Sequence, residues 1–148
     1  MLAPGARAAH LWPVMSEPVL PPVRAQFRAL ASTIVPETAA LSEPGWAELE
    51  RIVEDALAAR PPKMQRQLRL LIRVLDLLPL VRYGRRFGRL QPAQALRFLS
   101  AFQDAPVLLL RRGVWGLRTL VFMGYYARAE GAAAIGYRAD ARGWGARR

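Results

Sequence analysis

The side chains best placed to do chemistry form a row between positions 111 and 126. They combine arginines with aromatic rings: Arg111, Trp115, Arg118, Phe122, Tyr125 and Tyr126. The first four are four, three and four residues apart, which places them on one side of a helix. A guanidinium over a ring forms a cation–π contact, and Trp, Tyr and Arg are enriched at binding hot spots. The row therefore predicts recognition of a partner. A second interpretation stays open, in which the rings are core and the arginine stems run past them to water.

Residues for catalysis or metal binding are missing. There is no cysteine, and the only histidine is His10, in a proline-rich leader. Thiolate chemistry, covalent haem attachment and paired imidazole ligands are therefore excluded. Glu54 and Asp55 are adjacent, and neighbours on a helix point about 100° apart, so we interpret them as a solvated face. The sequence has neither a phosphate-binding loop nor a dinucleotide-binding glycine fingerprint. We expect no catalytic residue, no cofactor and no metal in this chain.

Charge divides the chain into two parts. Residues 1–60 carry five basic and seven acidic side chains, whereas residues 61–148 carry seventeen basic and four acidic ones. The net charge of +11 and the pI of about 11.5 predict an acidic partner for the second part. A basic helical nucleic-acid-binding protein is the alternative. Against it, the arginines are interleaved with Leu, Val, Phe and Trp, and no recognition-helix pattern appears. Membrane-surface binding is disfavoured because Lys63 is the only lysine and the arginines are scattered.

The elements that position the row belong to an all-α chain. Five prolines predict an extended or disordered leader over residues 1–22, followed by a single domain of about five helices over residues 23–136. Apolar spacing and proline breaks place the helices at about 23–36, 42–61, 62–81, 92–103 and 107–128, with a short turn of helix near 130–135. Residues 84–90 read as a basic loop, and residues 137–148 form a basic aromatic tail. No membrane span is expected, because the apolar stretch 107–127 contains three arginines.

Two leucines of the third helix indicate a covering partner. Leu70 and Leu77 lie on its polar side, among Arg66 and Arg73, and a helix that is apolar nearly all round is usually covered on both sides. On the fifth helix, glycines opposite the row permit close approach of another helix. The full set of expected partner-binding residues is Leu70, Leu77, Arg111, Trp115, Arg118, Phe122, Tyr125, Tyr126, Tyr137 and Trp144. We expect Trp115 to be the anchor of partner binding and Glu50, on the acidic side of the second helix, to be dispensable for it.

Three segments carry a resemblance to a known family. They are FRALASTIVP from Phe27 to Pro36, the helix from Gln91 to Phe102, and GLRTLVFMGYY from Gly116 to Tyr126, which is followed by Ile135-Gly136-Tyr137. These segments resemble the gluconate 2-dehydrogenase subunit 3 family, small helical subunits that accompany FAD-containing dehydrogenases of the glucose-methanol-choline type. The resemblance extends over most of residues 23–140.

The resemblance implies a division of labour between two chains. In that family the flavin and the catalytic histidines belong to the large subunit, and the small subunit packs along it and supports its folding. It implies a hetero-oligomer in which this chain is non-catalytic and the large FAD-dependent partner acts on alcohol groups of a sugar, sugar acid, sterol or other alcohol. The tail from Gly136 to Trp144 resembles alcohol-oxidase-like members, so the substrate class stays open. No twin-arginine leader is visible, so we expect a cytoplasmic protein, with export alongside a partner left open.

Overall fold

The computed structural model describes residues 17–136, and these residues form helices and turns without a strand. Seven α-helical segments occur in this range: α1 (Arg24–Ile34), α2 (Glu43–Ala58), α3 (Pro62–Leu77), α4 (Pro79–Tyr83), α5 (Pro92–Ala101), α6 (Leu108–Tyr126) and α7 (Ala129–Ala134). Short 3-10 turns lie at Pro21–Val23, Pro36–Ala40 and Phe87–Arg89. The five longest helices correspond to the five predicted ones, so the all-α class is confirmed.

Prolines and capping residues determine where the helices begin and end. α3, α4 and α5 each start on a proline, whose fixed φ suits the first turn and whose missing N–H is not needed there. Ser42 caps α2 by accepting a hydrogen bond from the Gly45 N–H at 3.4 Å. Pro79 separates α3 from α4, as the sequence predicted. α4 ends at Gly84, whose φ of 64° is a left-handed conformation that glycine adopts at low cost.

One hydrophobic core joins the helices. Its fully buried side chains include Phe27, Leu30, Leu49, Ile72, Leu75 and Leu117. α1 contacts α3, α5 and α6, while α2 packs along α6. α6 is buried at Val114, Leu117, Val121 and Gly124, whereas Trp115 and Phe122 of the same helix are exposed. Among residues 17–136, none of the helices combines the length and the apolarity needed to cross a membrane.

The last residues of the expected leader belong to the core. Val19 and Leu20 are buried, and their backbone N–H groups donate to the Glu54 carboxylate at 3.1 and 2.5 Å. Arg69 donates to the backbone carbonyl of Pro18 at 3.2 Å. The prolines around them predicted an extended chain, but two apolar side chains between those prolines reach the core. The interpretation of Glu54 as part of a solvated face is therefore wrong, and of the acidic pair only Asp55 is mainly exposed.

Glu50 is a second acidic residue of α2 that the sequence misplaced. It is only 7% exposed and accepts hydrogen bonds from Arg24 Nε at 3.0 Å and Arg28 Nε at 2.6 Å. Arg28 also donates to Glu43 at 2.9 Å. The hydrogen bond to Glu43, aided by that to Glu50 and by both carboxylate charges, raises the pKa of Arg28 against an opposing effect of burial. The placement of Glu50 on an exposed acidic face is wrong, because it is buried and joins α1 to α2. Its expected lack of effect on partner binding stays a prediction.

The predicted basic loop 84–90 also contributes to the core. Phe87 is 2% exposed, and its ring centre lies 5.9 Å from that of Phe98 on α5. The arginines around Phe87 suggested a solvated segment, but a 3-10 turn directs this one ring inward while Arg85, Arg86 and Arg89 remain exposed. The segment therefore anchors α5 to the rest of the domain.

Candidate partner-binding surface

Five side chains of α6 form a continuous row, which we call the ring row: Trp115, Arg118, Phe122, Tyr126 and Tyr125. The Arg118 guanidinium carbon lies 5.6 Å from the Trp115 ring centre and 6.0 Å from that of Phe122. Phe122 stacks on Tyr126 at 6.0 Å, and Tyr126 meets Tyr125 edge to face at 5.0 Å. The cation–π contacts predicted from the spacing are present for Arg118. Among the described residues Arg111 makes no such contact with Trp115, although it is exposed one turn before it.

The ring row is exposed at one end and anchored at the other. Trp115 is 58% exposed and Phe122 is 37% exposed, whereas Tyr125 packs partly against the core. The alternative that these rings are core residues is therefore wrong for Trp115, and it holds in part for Tyr125. A large indole held in water beside a guanidinium is a costly arrangement for an isolated domain and a frequent one at binding sites.

Arg128 holds the anchored end in place, and the sequence did not single it out. Its guanidinium carbon lies 5.5 Å from the Tyr125 ring centre, and its side chain is 2% exposed. Arg128 Nη2 donates to Glu130 at 2.8 Å, and Nε lies 3.5 Å from a carboxylate oxygen of Glu48 on α2. The sequence feature that could have indicated this contact is the spacing of three residues between Tyr125 and Arg128. Because Arg128 joins the end of α6 to α2, it fixes how the ring row is presented.

The glycine side of α6 meets its neighbours closely at two points. A Cβ atom on Gly124 would lie 2.9 Å from Val53 of α2, and one on Gly113 would lie 2.9 Å from Leu71 of α3. The predicted close helix approach is thus confirmed at these positions. Gly116 differs, because nothing except its chain neighbours and the backbone of α6 lies within 4 Å of its Cβ position. The space beside Gly116 opens into a groove between α3 and α6.

This groove has a volume of about 580 Å³ and mainly apolar walls. Its apolar lining residues include Leu57, Met64, Leu68, Leu70, Leu71, Val74, Leu109, Leu110, Leu117 and Leu120. The polar side chains that border it are Arg60, Gln67, Arg112 and Thr119. Leu70 and Leu109 are 61% and 72% exposed, so both lie at its edges. Of these residues only Leu70 was predicted from the sequence to bind a partner. The pattern of one helix does not show which residues of two different helices line a shared groove.

Six of the ten predicted residues fall on two surfaces. The ring row brings five of them together, and Leu70 borders the groove on the other side of α6. Leu77 is 44% exposed on α3 but does not line the groove. Tyr137 and Trp144 lie outside the described residues. Whether these side chains bind a partner stays a prediction.

Among residues 17–136 no group of three or more His, Cys, Asp or Glu side chains is arranged to hold a metal ion. The acidic side chains that are buried are used internally: Glu50 pairs with Arg24 and Arg28, and Asp76 with Arg86 at 3.6 Å.

Comparison with known families decides what kind of protein presents these two surfaces. Residues 24–140 match the family model for gluconate 2-dehydrogenase subunit 3. The chain belongs to this family. The resemblance based on three segments is thus confirmed, and the match includes α1 to α7 with both the ring row and the groove. No curated protein and no solved structure matches the chain. As a gluconate 2-dehydrogenase subunit 3 protein, it is a member of a family of dehydrogenase-complex subunits.

Proposed function

We propose that this chain is a non-catalytic small subunit that binds and stabilises a large FAD-dependent dehydrogenase or oxidase of the glucose-methanol-choline type. The large subunit would hold the FAD and oxidise an alcohol group of a sugar, sugar acid, sterol or other alcohol. The observation that carries the proposal is the exposed ring row, in which Trp115 is 58% exposed and Arg118 lies over its ring.

The ring row has the physical properties of a binding anchor. Trp and Tyr supply large contact areas with few rotatable bonds, so little conformational entropy is lost on association. Arg118 lies between two rings at 5.6 and 6.0 Å, which restrains all three side chains before a partner arrives. Arg128 and Tyr125 connect the same row to the core. A preorganised aromatic surface of this kind is better explained by binding to a stable protein partner than by exposure to solvent.

The test is co-expression with the FAD-dependent dehydrogenase chain encoded nearest to this one, followed by pull-down and measurement of the dissociation constant. Trp115→Ala should weaken association by about 2 kcal/mol or more if Trp115 is a central anchor. The same variant should change the melting temperature of the isolated chain little, because more than half of the side chain is already in water.

Asp55→Ala is the matched control, since Asp55 is mainly exposed on α2 and, among residues 17–136, pairs only with Arg51 in an i,i+4 contact. It should leave both association and melting unchanged. If wild-type chain does not retain the flavoprotein at all, the proposed function is wrong. If Trp115→Ala unfolds the chain while its folded fraction binds normally, the ring row is not the interface.

A further inference from the structure

We propose that the groove between α3 and α6 receives an acidic amphipathic helix of about three turns from the large subunit. This inference rests on the proposed function and goes beyond it by naming a second contact and the chemistry of the segment that fills it. It concerns the groove, whereas the proposed function is carried by the ring row on the other side of α6.

The shape of the groove favours a helix. On α6 its wall runs through Leu109, Gly113, Gly116 and Leu120, at spacings of four, three and four residues. At a rise of 1.5 Å per residue this wall is about 16 Å long, which corresponds to three helical turns. Apart from its two chain neighbours and the backbone of α6 itself, no heavy atom lies within 4 Å of the Cβ position of Gly116, so the backbone of an incoming helix can approach α6 closely there. Helices that bind apolar grooves do so through residues spaced in this way.

The edges of the groove favour a polypeptide over a small molecule. Met64, Leu70 and Leu109 are 49%, 61% and 72% exposed, and they rise along its two sides. A small ligand within the groove would leave these three side chains in water. A helix laid along it covers them together with the floor and so removes their apolar surface from water.

The charge around the groove identifies the occupant as acidic. Arg60 and Arg112 border it, no acidic side chain lines it, and no carboxylate among residues 17–136 forms an ion pair with either arginine. The chain's own end segments are unsuitable: residues 1–16 carry Arg7 and no acidic residue, and residues 137–148 carry four arginines against Asp140. A second copy would bring the same arginines face to face. In a helix that has Asp or Glu beside its apolar residues, the apolar residues contact the floor of the groove and the carboxylates pair with the two arginines at its border.

Filling the groove with a side chain tests whether the groove binds the large subunit. Gly116→Leu places a side chain into the open space without touching the core, whereas Gly116→Ala leaves the groove nearly unchanged. Measured on the co-expressed complex, Gly116→Leu should raise the dissociation constant for the large subunit by about tenfold or more, and Gly116→Ala should not. Melting temperatures of the isolated variants establish that both remain folded. Equal binding by wild type and by folded Gly116→Leu overturns the proposal.

Charge reversal tests the chemistry of the occupant. Arg60→Glu combined with Arg112→Glu should weaken binding and reduce its dependence on salt. Arg97→Glu, an exposed position on α5 without an ion pair among the described residues, is the matched control and should have little effect. Unchanged or tighter binding by the double variant means that the occupant is not acidic, which contradicts the proposal.

Crosslinking identifies the occupant directly in a chain that keeps Gly116 and therefore an open groove. Leu109 is replaced by p-benzoylphenylalanine, the purified complex is irradiated, and the crosslinked peptides are sequenced by mass spectrometry. A peptide of the large subunit with apolar residues at helical spacing and flanking Asp or Glu supports the proposal. Crosslinks only to residues 1–16, to residues 137–148 or to a second copy overturn it, as does the absence of any crosslink. Because complex formation by the wild type is scored separately, failure of this inference is distinguishable from failure of the proposed function.

Discussion

Gly124 of α6 lies so close to Val53 of α2 that a Cβ atom on Gly124 would stand 2.9 Å from Val53 Cγ2. Leu49 lies on the same side, with two side-chain atoms at 3.2 Å. A methyl group therefore has no space unless α2 and α6 move apart. We expect Gly124→Ala to lower the free energy of unfolding by about 1 to 3 kcal/mol, measured by urea denaturation followed by circular dichroism.

Gly116→Ala is the control for this prediction, because both residues are helical glycines of α6. No atom of a neighbouring element lies within 4 Å of the Cβ position of Gly116, so the substitution should raise the free energy of unfolding by about 0.5 to 1 kcal/mol through helix propensity alone. If Gly124→Ala is stabilising as well, α2 and α6 do not approach as closely as the structure shows.

Glu50 should matter for stability, in contrast to Asp55 on the same helix. Glu50→Ala leaves Arg24 and Arg28 without their shared carboxylate, and we expect a loss of about 1 to 3 kcal/mol in the free energy of unfolding. The pKa of Arg28 is raised, so its contribution is fully present below the ordinary pKa of arginine and is lost only as pH rises through the higher folded value. The contribution of Arg28 itself should therefore be constant across the physiological range. Asp55→Ala, measured in parallel, should change the free energy by less than about 0.5 kcal/mol.

Glu54 should control the segment before α1. Its carboxylate accepts the backbone N–H groups of Val19 and Leu20, so Glu54→Ala leaves two donors without their partner at a cost of about 1 to 3 kcal/mol. Amide hydrogen exchange at these two positions should accelerate, while exchange in the centre of α6 should follow only the change in global stability. Glu54→Gln retains one acceptor oxygen and should have an intermediate effect. Unchanged exchange at Val19 and Leu20 would argue against this contact.

The purified chain should be colourless and free of metal. Its sequence has no cysteine, and no metal-binding cluster occurs among residues 17–136, so any flavin in the complex should belong to the partner. The measurement is an absorption spectrum together with metal analysis of the isolated chain. A flavin or haem band that remains with this chain after removal of the large subunit would contradict the assignment.

Binding to duplex DNA should be weak, independent of sequence and lost as salt rises. A chain with a net charge of +11 attracts phosphates, but that attraction alone depends on the release of counterions. Fluorescence anisotropy with two unrelated duplexes, over a range of salt concentrations, measures both dependences. Nanomolar binding that differs between the two duplexes at physiological salt would favour the nucleic-acid alternative.

Much of the fold and part of the site could be predicted from sequence because they depend on neighbours along the chain. Prolines and Ser42 act on the backbone within one turn, so the helix limits were close to those observed. The ring row was predicted for the same reason, since Trp115, Arg118 and Phe122 are neighbours on a single helix whatever surrounds it.

The tertiary structure alone decided which polar residues are buried and where the groove lies. Glu50 meets Arg24 across 26 positions, and Glu54 meets Leu20 across 34, so nothing in the local pattern of α2 separated these residues from exposed Asp55. The groove depends on the distance between α3 and α6. The two helices are in close contact at Gly113, and open space remains between them at Gly116. That distance depends on how the two helices pack, and it cannot be predicted from the apolar periodicity of either helix alone.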